Sequence, residues 1–276
     1  MKTHKTSSVA NYINNRIKKK SLLESLPQSF DSKPDSWRSY DLDTMPAQER
    51  YRLLISAVIP RPVALITSIN KNGIVNCAPF SYTSIICHDP PLVSSSINLS
   101  KGNKKDTLNN IELNEEWVHN TMSDWFIESA NYTSGDFPST TSELDEAGIP
   151  ILPSDIVKVP RVGLSAVSLE CKLYDKKEIY NDDGIHTTTL VIGKVVKIHI
   201  HEKVLKISTS SSSTSTTTTT QNDKDNDNDN DSSKKRKVEK ITVDLEKFKA
   251  VGRVGDITYW PAGEANQRSI PRPTIK

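Results

Sequence analysis

The run Val63-Ala64-Leu65-Ile66-Thr67-Ser68-Ile69 stops at Asn70-Lys71-Asn72-Gly73, and Ile74 to Ala78 then resumes a strand-like pattern. Asn and Gly accept the backbone angles of a tight reversal, so this stretch predicts a β-hairpin. The same grammar recurs along the chain. Ser81 to Cys87 and Leu92 to Asn98 read as a second strand pair. Their break falls at His88-Asp89-Pro90-Pro91, because proline cannot donate to a central ladder. Glu116 to Met122 reads as another strand. Leu164 to Tyr174 and Thr187 to His201 alternate as strands with one wet face, and Asn181-Asp182-Asp183-Gly184 turns between them. Many short strands with helices only in the connections predict a mostly β fold, a barrel with helical decoration.

The expected helices are short. Ala47 to Ser56 leads into Ile59-Pro60-Arg61-Pro62, and Thr107 to Leu113 follows Asp106, whose side chain is placed to cap it. Ser123 to Ala130 and Ser142 to Ala147 are two more, the second ended by Gly148 with Pro150 beyond. Residues 1–40 are polar and broken by Pro27 and Pro34, and they read as a disordered basic tail. Order is expected from near Tyr40, giving one domain over 41–275. A Ser/Thr run, Asn/Asp alternation and the cluster Lys234-Lys235-Arg236-Lys237 make residues 208–237 an insertion too polar to offset its ordering entropy. The domain is expected to resume with ordered elements at Ile241 to Leu245 and Val254 to Trp260.

Charge and cysteine content narrow the function. Lys and Arg total 36 against 34 Asp and Glu, so neither nucleic acid nor an anionic membrane is an expected main partner. Three cysteines without a Cys-x-x-Cys pair argue for a reducing compartment rather than a disulfide framework. No stretch has the apolar length of a membrane helix. The reading is cytoplasmic. The alternative is mitochondrial, because Val9, Ile13 and Ile17 recur at helical spacing among lysines with no acidic residue before Glu24.

An ordered set of motifs then carries a resemblance. It comprises Arg61-Pro62-Val63-Ala64-Leu65-Ile66, Asn76-Cys77-Ala78-Pro79-Phe80-Ser81-Tyr82, Asp89-Pro90-Pro91-Leu92-Val93 and Lys105-Asp106-Thr107-Leu108. Further on come Ala130-Asn131-Tyr132-Thr133-Ser134, Pro160-Arg161-Val162 and Leu169-Glu170-Cys171-Lys172-Leu173. Together they resemble the FMN-binding flavin-reductase-like family. The resemblance implies a split β-barrel and a homodimer with FMN near the subunit interface. It also implies chemistry in which NADH or NADPH reduces flavin, or in which the protein carries electrons on it. A barrel without catalysis is the remaining alternative.

Carried over by motif, Asn76, Ala78, Ser81, Tyr82 and Thr83 are expected to line the flavin, with Ser94 and Ser96 on the neighbouring strand and Lys105 and Thr107 at the phosphate. A helix N-terminus, a Lys charge and a Thr hydroxyl suit a phosphate, and fixed donors suit the charge that reduction places on the ring. The flavin performs the hydride chemistry, so no acid–base pair is required. Two positions depart from the pattern: Ser95 stands where members often carry an aromatic residue, and Lys104 is the nearest substitute for an arginine common before Lys105.

Other conspicuous residues have plain readings. His199 and His201 share a strand face but lack the further ligands a metal needs. Cys77 reads as a small buried hydrophobe. Arg61 and Arg161 flank prolines and are either structural or positioned to neutralise reduced flavin.

Overall fold

The computed structural model describes residues 36–210 and 238–262, so the readings made for residues 1–35 and 211–237 lie outside the described residues. The chain divides into two compact units, Met1–Tyr51 and Arg52–Lys276. In the first, the Asp41 carboxylate accepts from the Asp43 amide at 3.0 Å and forms a turn. Helix α1, Ala47–Ala57, begins just after it.

The second unit continues with β1 (Arg61–Pro62), β2 (Ala64–Ile69), β3 (Val75–Phe80), β4 (Thr83–His88) and β5 (Pro91–Asn98). Helix α2 (Asp106–Asn114) precedes β6 (Glu116–Thr121), and a 3-10 turn at Asp124–Phe126 runs into α3 (Ile127–Tyr132). Helix α4 (Glu143–Glu146), the short strands β7 (Ile151–Leu152) and β8 (Arg161–Val162), and the long pair β9 (Val167–Tyr180) and β10 (His186–Ile200) follow. A 3-10 turn at Glu202–Val204 leads to β11 (Leu205–Ser210), and beyond the undescribed segment come β12 (Val238–Val243), α5 (Leu245–Phe248), β13 (Val251–Val254) and β14 (Thr258–Pro261).

Seven strands form one antiparallel sheet in the order β3-β2-β6-β9-β10-β5-β4. Laid flat, its two edges would stand about 29 Å apart, since neighbouring strands are about 4.8 Å apart. Yet those edges, β3 and β4, are joined by Ser81 and Tyr82 alone. Three Cα steps reach at most about 11 Å. The sheet must therefore curl until its edges meet, while β3 and β4 remain unpaired along a seam.

Strand β2 shows why the sequence here lacks alternation. Ala64 and Ile66 join a cluster with Phe80, Leu108, Ile111 and Trp117, whereas Val63 and Leu65 join another with Met122, Phe126, Ala130 and Leu144. Both faces are covered, so both are apolar. The hairpin read at Asn70–Gly73 is present, with Asn70 N donating to the Ile74 carbonyl at 3.0 Å and Gly73 at φ +82°.

Several elements differ from the sequence reading. Lys105, not Asp106, occupies the N-cap of α2 and gives no side-chain cap, while Asp106 lies in the first turn, where its carboxylate still meets the positive helix end. Ser123 to Ala130 divides into a 3-10 turn and α3. The strand expected at Leu164 to Tyr174 is instead β9, Val167–Tyr180, and it does not alternate: its first five residues are covered on both faces, and it continues to Tyr180 on exposed residues. Ser208 to Ser210, expected within the insertion, pair with Lys240 to Val238. The final segment forms the β13–β14 hairpin, and β13 pairs with β1 through Arg61↔Arg253 and Pro62↔Gly252.

Candidate functional site

The residues expected at the flavin converge on the seam, because Ala78 ends near it on β3, Ser81 and Tyr82 cross it, and Thr83, Ser94 and Ser96 belong to β4 and β5. The Ser96 amide donates to the Tyr82 carbonyl at 2.8 Å and ties the crossing to β5. Lys105 joins them from α2: it is exposed, and its Nζ lies 5.8 Å from the centre of the Phe80 ring at the end of β3. Beside it, the first turn of α2 leaves its leading amides without intrahelical acceptors.

The nine residues are not equivalent. Ser81, Ser94 and Ser96 are half-buried and Tyr82 is exposed, so a ligand can reach them. Ala78 is half-buried and packs on the inner cluster. Thr83 is buried, and its hydroxyl donates to the Ser94 carbonyl at 2.7 Å and lies 3.0 Å from the Ser95 hydroxyl. Ser95 itself is 1% exposed. It therefore faces the interior, and no aromatic ring is missing from the open side of β5.

Asn76 and Thr107 are buried too, and they belong to a network that sequence spacing does not reveal. The Asn76 amide accepts from Thr107 Oγ1 at 2.9 Å and donates to Glu143 Oε1 at 3.2 Å. The second Glu143 oxygen accepts the Cys77 amide at 2.8 Å. Glu143 thus links α4, β3 and the first turn of α2. Burial pushes its carboxyl above the usual carboxylate range, against the opposing pull of the Cys77 amide. Thr107 is 2% exposed, and its hydroxyl donates to Asn76 inside this network. Lys104 does not replace the absent arginine either. Its Nζ meets both Glu112 oxygens, at 2.9 and 2.8 Å, and this bond raises its pKa.

Arg61 is buried behind the crossing. Its Nε donates to Ser81 Oγ at 3.5 Å, Nη1 to the Ile55 and Val58 carbonyls, and Nη2 to the Gly255 carbonyl at 2.9 Å. The cation therefore closes the carbonyl end of α1, where the helix dipole is negative, and steadies Ser81 from behind. Arg161 Nε donates to the Pro153 carbonyl at 3.0 Å, a loop contact away from these residues.

Cys77 is fully buried, and burial pushes its thiol up, far from the reactive range. Asp155, Glu170 and His199 bring ligand atoms within 4.8 Å of one another. Glu170 is nevertheless already saturated by the amides of Asp155, Ile156 and Val157 and by His199 Nε2 at 2.6 Å, and Asp155 faces Lys197 Nζ at 3.0 Å. This arrangement clamps the 155–157 loop to β9. His201, by contrast, accepts the Lys203 amide through Nδ1 at 3.2 Å.

The chain resembles known proteins over most of its length. YwrF, an uncharacterised protein of Bacillus subtilis, is 39% identical over 165 residues, which is 60% of this chain and 80% of that one. The structure of nitrilotriacetate monooxygenase component B from Bacillus cereus superposes with a TM-score of 0.69 at 26% identity, covering 85% of this chain and 98% of the other. A split barrel domain structure from Shewanella frigidimarina superposes with a TM-score of 0.62 at 17% identity, covering 84% and 96%, and agrees in fold. Among the described residues no helix is long and apolar enough to cross a membrane. The flavin reductase like domain family matches residues 56–209, more than half of the sequence. With its seven strands curled around an unpaired seam, the chain belongs to that family and has its split-barrel fold.

Proposed function

We propose that this protein binds FMN along the seam and reduces flavin with NADH or NADPH. The observation that carries the reading is the meeting of an exposed Lys105, the open first turn of α2 and the reachable hydroxyls of Ser81, Ser94 and Ser96 around one crossing of the chain. Those groups fit the ligand's chemistry. Lys105 and the leading amides of α2 would hold the phosphate. Ser81, Tyr82, Ser94 and Ser96 would meet the polar rim of the ring, with Ala78 beside it. Bound there, FMN supplies the hydride chemistry. The chain's own part is to orient the ring, exclude water and set the local field.

Asn76, Thr83 and Thr107 act one step back. Thr83 fixes β4 to β5, and Asn76 with Thr107 fixes the start of α2 to β3, so the accessible groups keep their spacing. Arg61 contributes fixed positive charge behind Ser81, which favours negative charge developing on a reduced ring. The protein acts as a homodimer in this reading. The exposed Ile85 and Ile86 on edge strand β4 are apolar surface that a second copy would cover beside the seam.

An anaerobic absorbance titration with FMN, followed by NADH or NADPH, tests the proposal. Bound flavin bands that bleach on adding nicotinamide are expected. Bands that stay oxidised would favour an electron carrier, and protein that takes up no flavin would favour a non-catalytic barrel. Light scattering after size exclusion is expected to give twice the chain mass.

A further inference from the structure

A second cleft, of about 730 Å³, opens where the start of β9 meets the 3-10 turn at Glu202–Val204 and α5. None of the nine seam residues lines it. One wall is set rigidly. The Gly163 amide donates to the Pro150 carbonyl at 2.7 Å, and a Cβ at Gly163 would sit 2.7 Å from that same oxygen. The 163–166 backbone is thereby pressed into place.

An aromatic ring is fastened to that wall. Trp125 is 47% exposed, yet its indole nitrogen donates to the Leu164 carbonyl at 3.0 Å. With its only donor spent, the ring is anchored and offers the cleft an apolar π surface. Leu164, Ala166 and Val204 continue that surface. The Ser165 hydroxyl is also spent, its one proton lying between the Thr121 and Val167 carbonyls, each 2.8 Å from Oγ.

The polar groups that remain lie at the rim and are mostly basic. They are Lys203 and Lys247, with Glu202 the acidic residue on the lining and His201 beside them, its Nδ1 accepting the Lys203 amide. Asp244 pairs with Lys247 at 3.8 Å, but with the Lys247 side chain 64% exposed the pair is solvent-screened and weak, so the ammonium can still turn to a second anion. A flat apolar floor beneath a cationic rim selects a ligand with the same two parts.

We propose that this cleft is a small-molecule site for planar aromatic carboxylates, with the ring against Trp125 and the carboxylate toward Lys203 and Lys247. The volume falls in the range of small-ligand sites, about 300–1,000 Å³, and a few polar groups on an apolar lining are their usual chemistry. Aromatic stacking and the two charges supply separate parts of the affinity, so they can be removed separately.

The test is a calorimetric titration of the full-length protein with 2-naphthoate and, in parallel, with uncharged 2-naphthol. One saturable naphthoate site per chain is expected, at least tenfold tighter than naphthol. Trp125→Leu should weaken naphthoate at least tenfold. Lys203→Met combined with Lys247→Met should bring naphthoate down to the naphthol level while leaving naphthol binding unchanged. All three positions are at the surface, and an unchanged melting temperature confirms that each variant is folded. Equal affinity for the two probes, or undiminished binding by Trp125→Leu, would overturn the assignment. Stoichiometric displacement of naphthoate by FMN would also overturn it, because the probe would then be reporting on the seam. Failure of FMN to bind at all leaves this cleft's test unaffected.

Discussion

Lys105 and Thr107 stand two residues apart, yet they do different work. Lys105 is exposed beside the seam, whereas the Thr107 hydroxyl is buried against Asn76. Lys105→Met should weaken FMN binding by about 1.5–3 kcal/mol, the loss of one charge-assisted bond, and the salt dependence of binding should fall with it. Thr107→Val should chiefly lower stability, by about 1–3 kcal/mol, because it leaves a buried Asn76 amide short of a partner. Fluorescence titration and urea denaturation of the two variants separate these outcomes. The Glu143 network could not be read from sequence, because only packing brings a four-residue helix onto β3.

A second residue-scale prediction concerns acid. Burial depresses the His119 pKa to about 4 from 6.5, and its Nδ1 has no partner among the described residues. The unfolded chain therefore binds that proton first, so the stability His119 contributes is complete above about pH 6.5 and drains away as pH falls toward 4. Glu170 adds a lower window. Burial raises its pKa, but His199 and three amides outweigh that and hold it at about 2, so its contribution is lost between about pH 4.5 and 2. Urea midpoints should fall between pH 7 and 5 for the native chain, and the fall should be shallower in His119→Leu. An identical slope in that variant would show that another group titrates.

Among the elements, the sheet was the most legible part. Hairpin chemistry at Asn70–Gly73 and the alternation in the first half of β10 are local signals that sit where the sequence indicated, whereas β9 is buried on both faces at its start and exposed on both at its end. Strand order was not legible, because pairing β6 with β9 depends on contacts far apart in the chain. Gly193 is a second example. It reads as an ordinary glycine within an alternating strand, but a Cβ there would run into the Trp117 ring and against Cys171 at 3.2 Å. Gly193→Ala should therefore cost about 1–3 kcal/mol by overpacking, measured as a lower urea midpoint with an unchanged slope. The seam residues were named from motif resemblance alone, and their division into reachable and buried groups needed the fold.

For the whole molecule, β11 and β12 show where the chain tolerates length. Ser210 and Val238 face each other across the ladder, so the segment between them leaves and re-enters at one place. Replacing residues 211–237 with a two-residue Asn-Gly turn should keep FMN affinity within about threefold. It should raise stability by no more than about 2 kcal/mol, the difference in loop-closure entropy. Loss of flavin binding in that variant would mean that the segment takes part in the site.

The pairing of β1 with β13 also bears on how the protein is made. Arg61 finds one of its acceptors, the Gly255 carbonyl, 194 positions later in the chain. During synthesis the first hairpins can form early, but strand β1 and the buried guanidinium behind the crossing wait for residues 251–255 to leave the ribosome. For most of its translation the guanidinium has only its Ile55, Val58 and Ser81 partners and is one acceptor short of its final set. Ribosome-bound intermediates ending before Val251 are the ones a chaperone would hold longest.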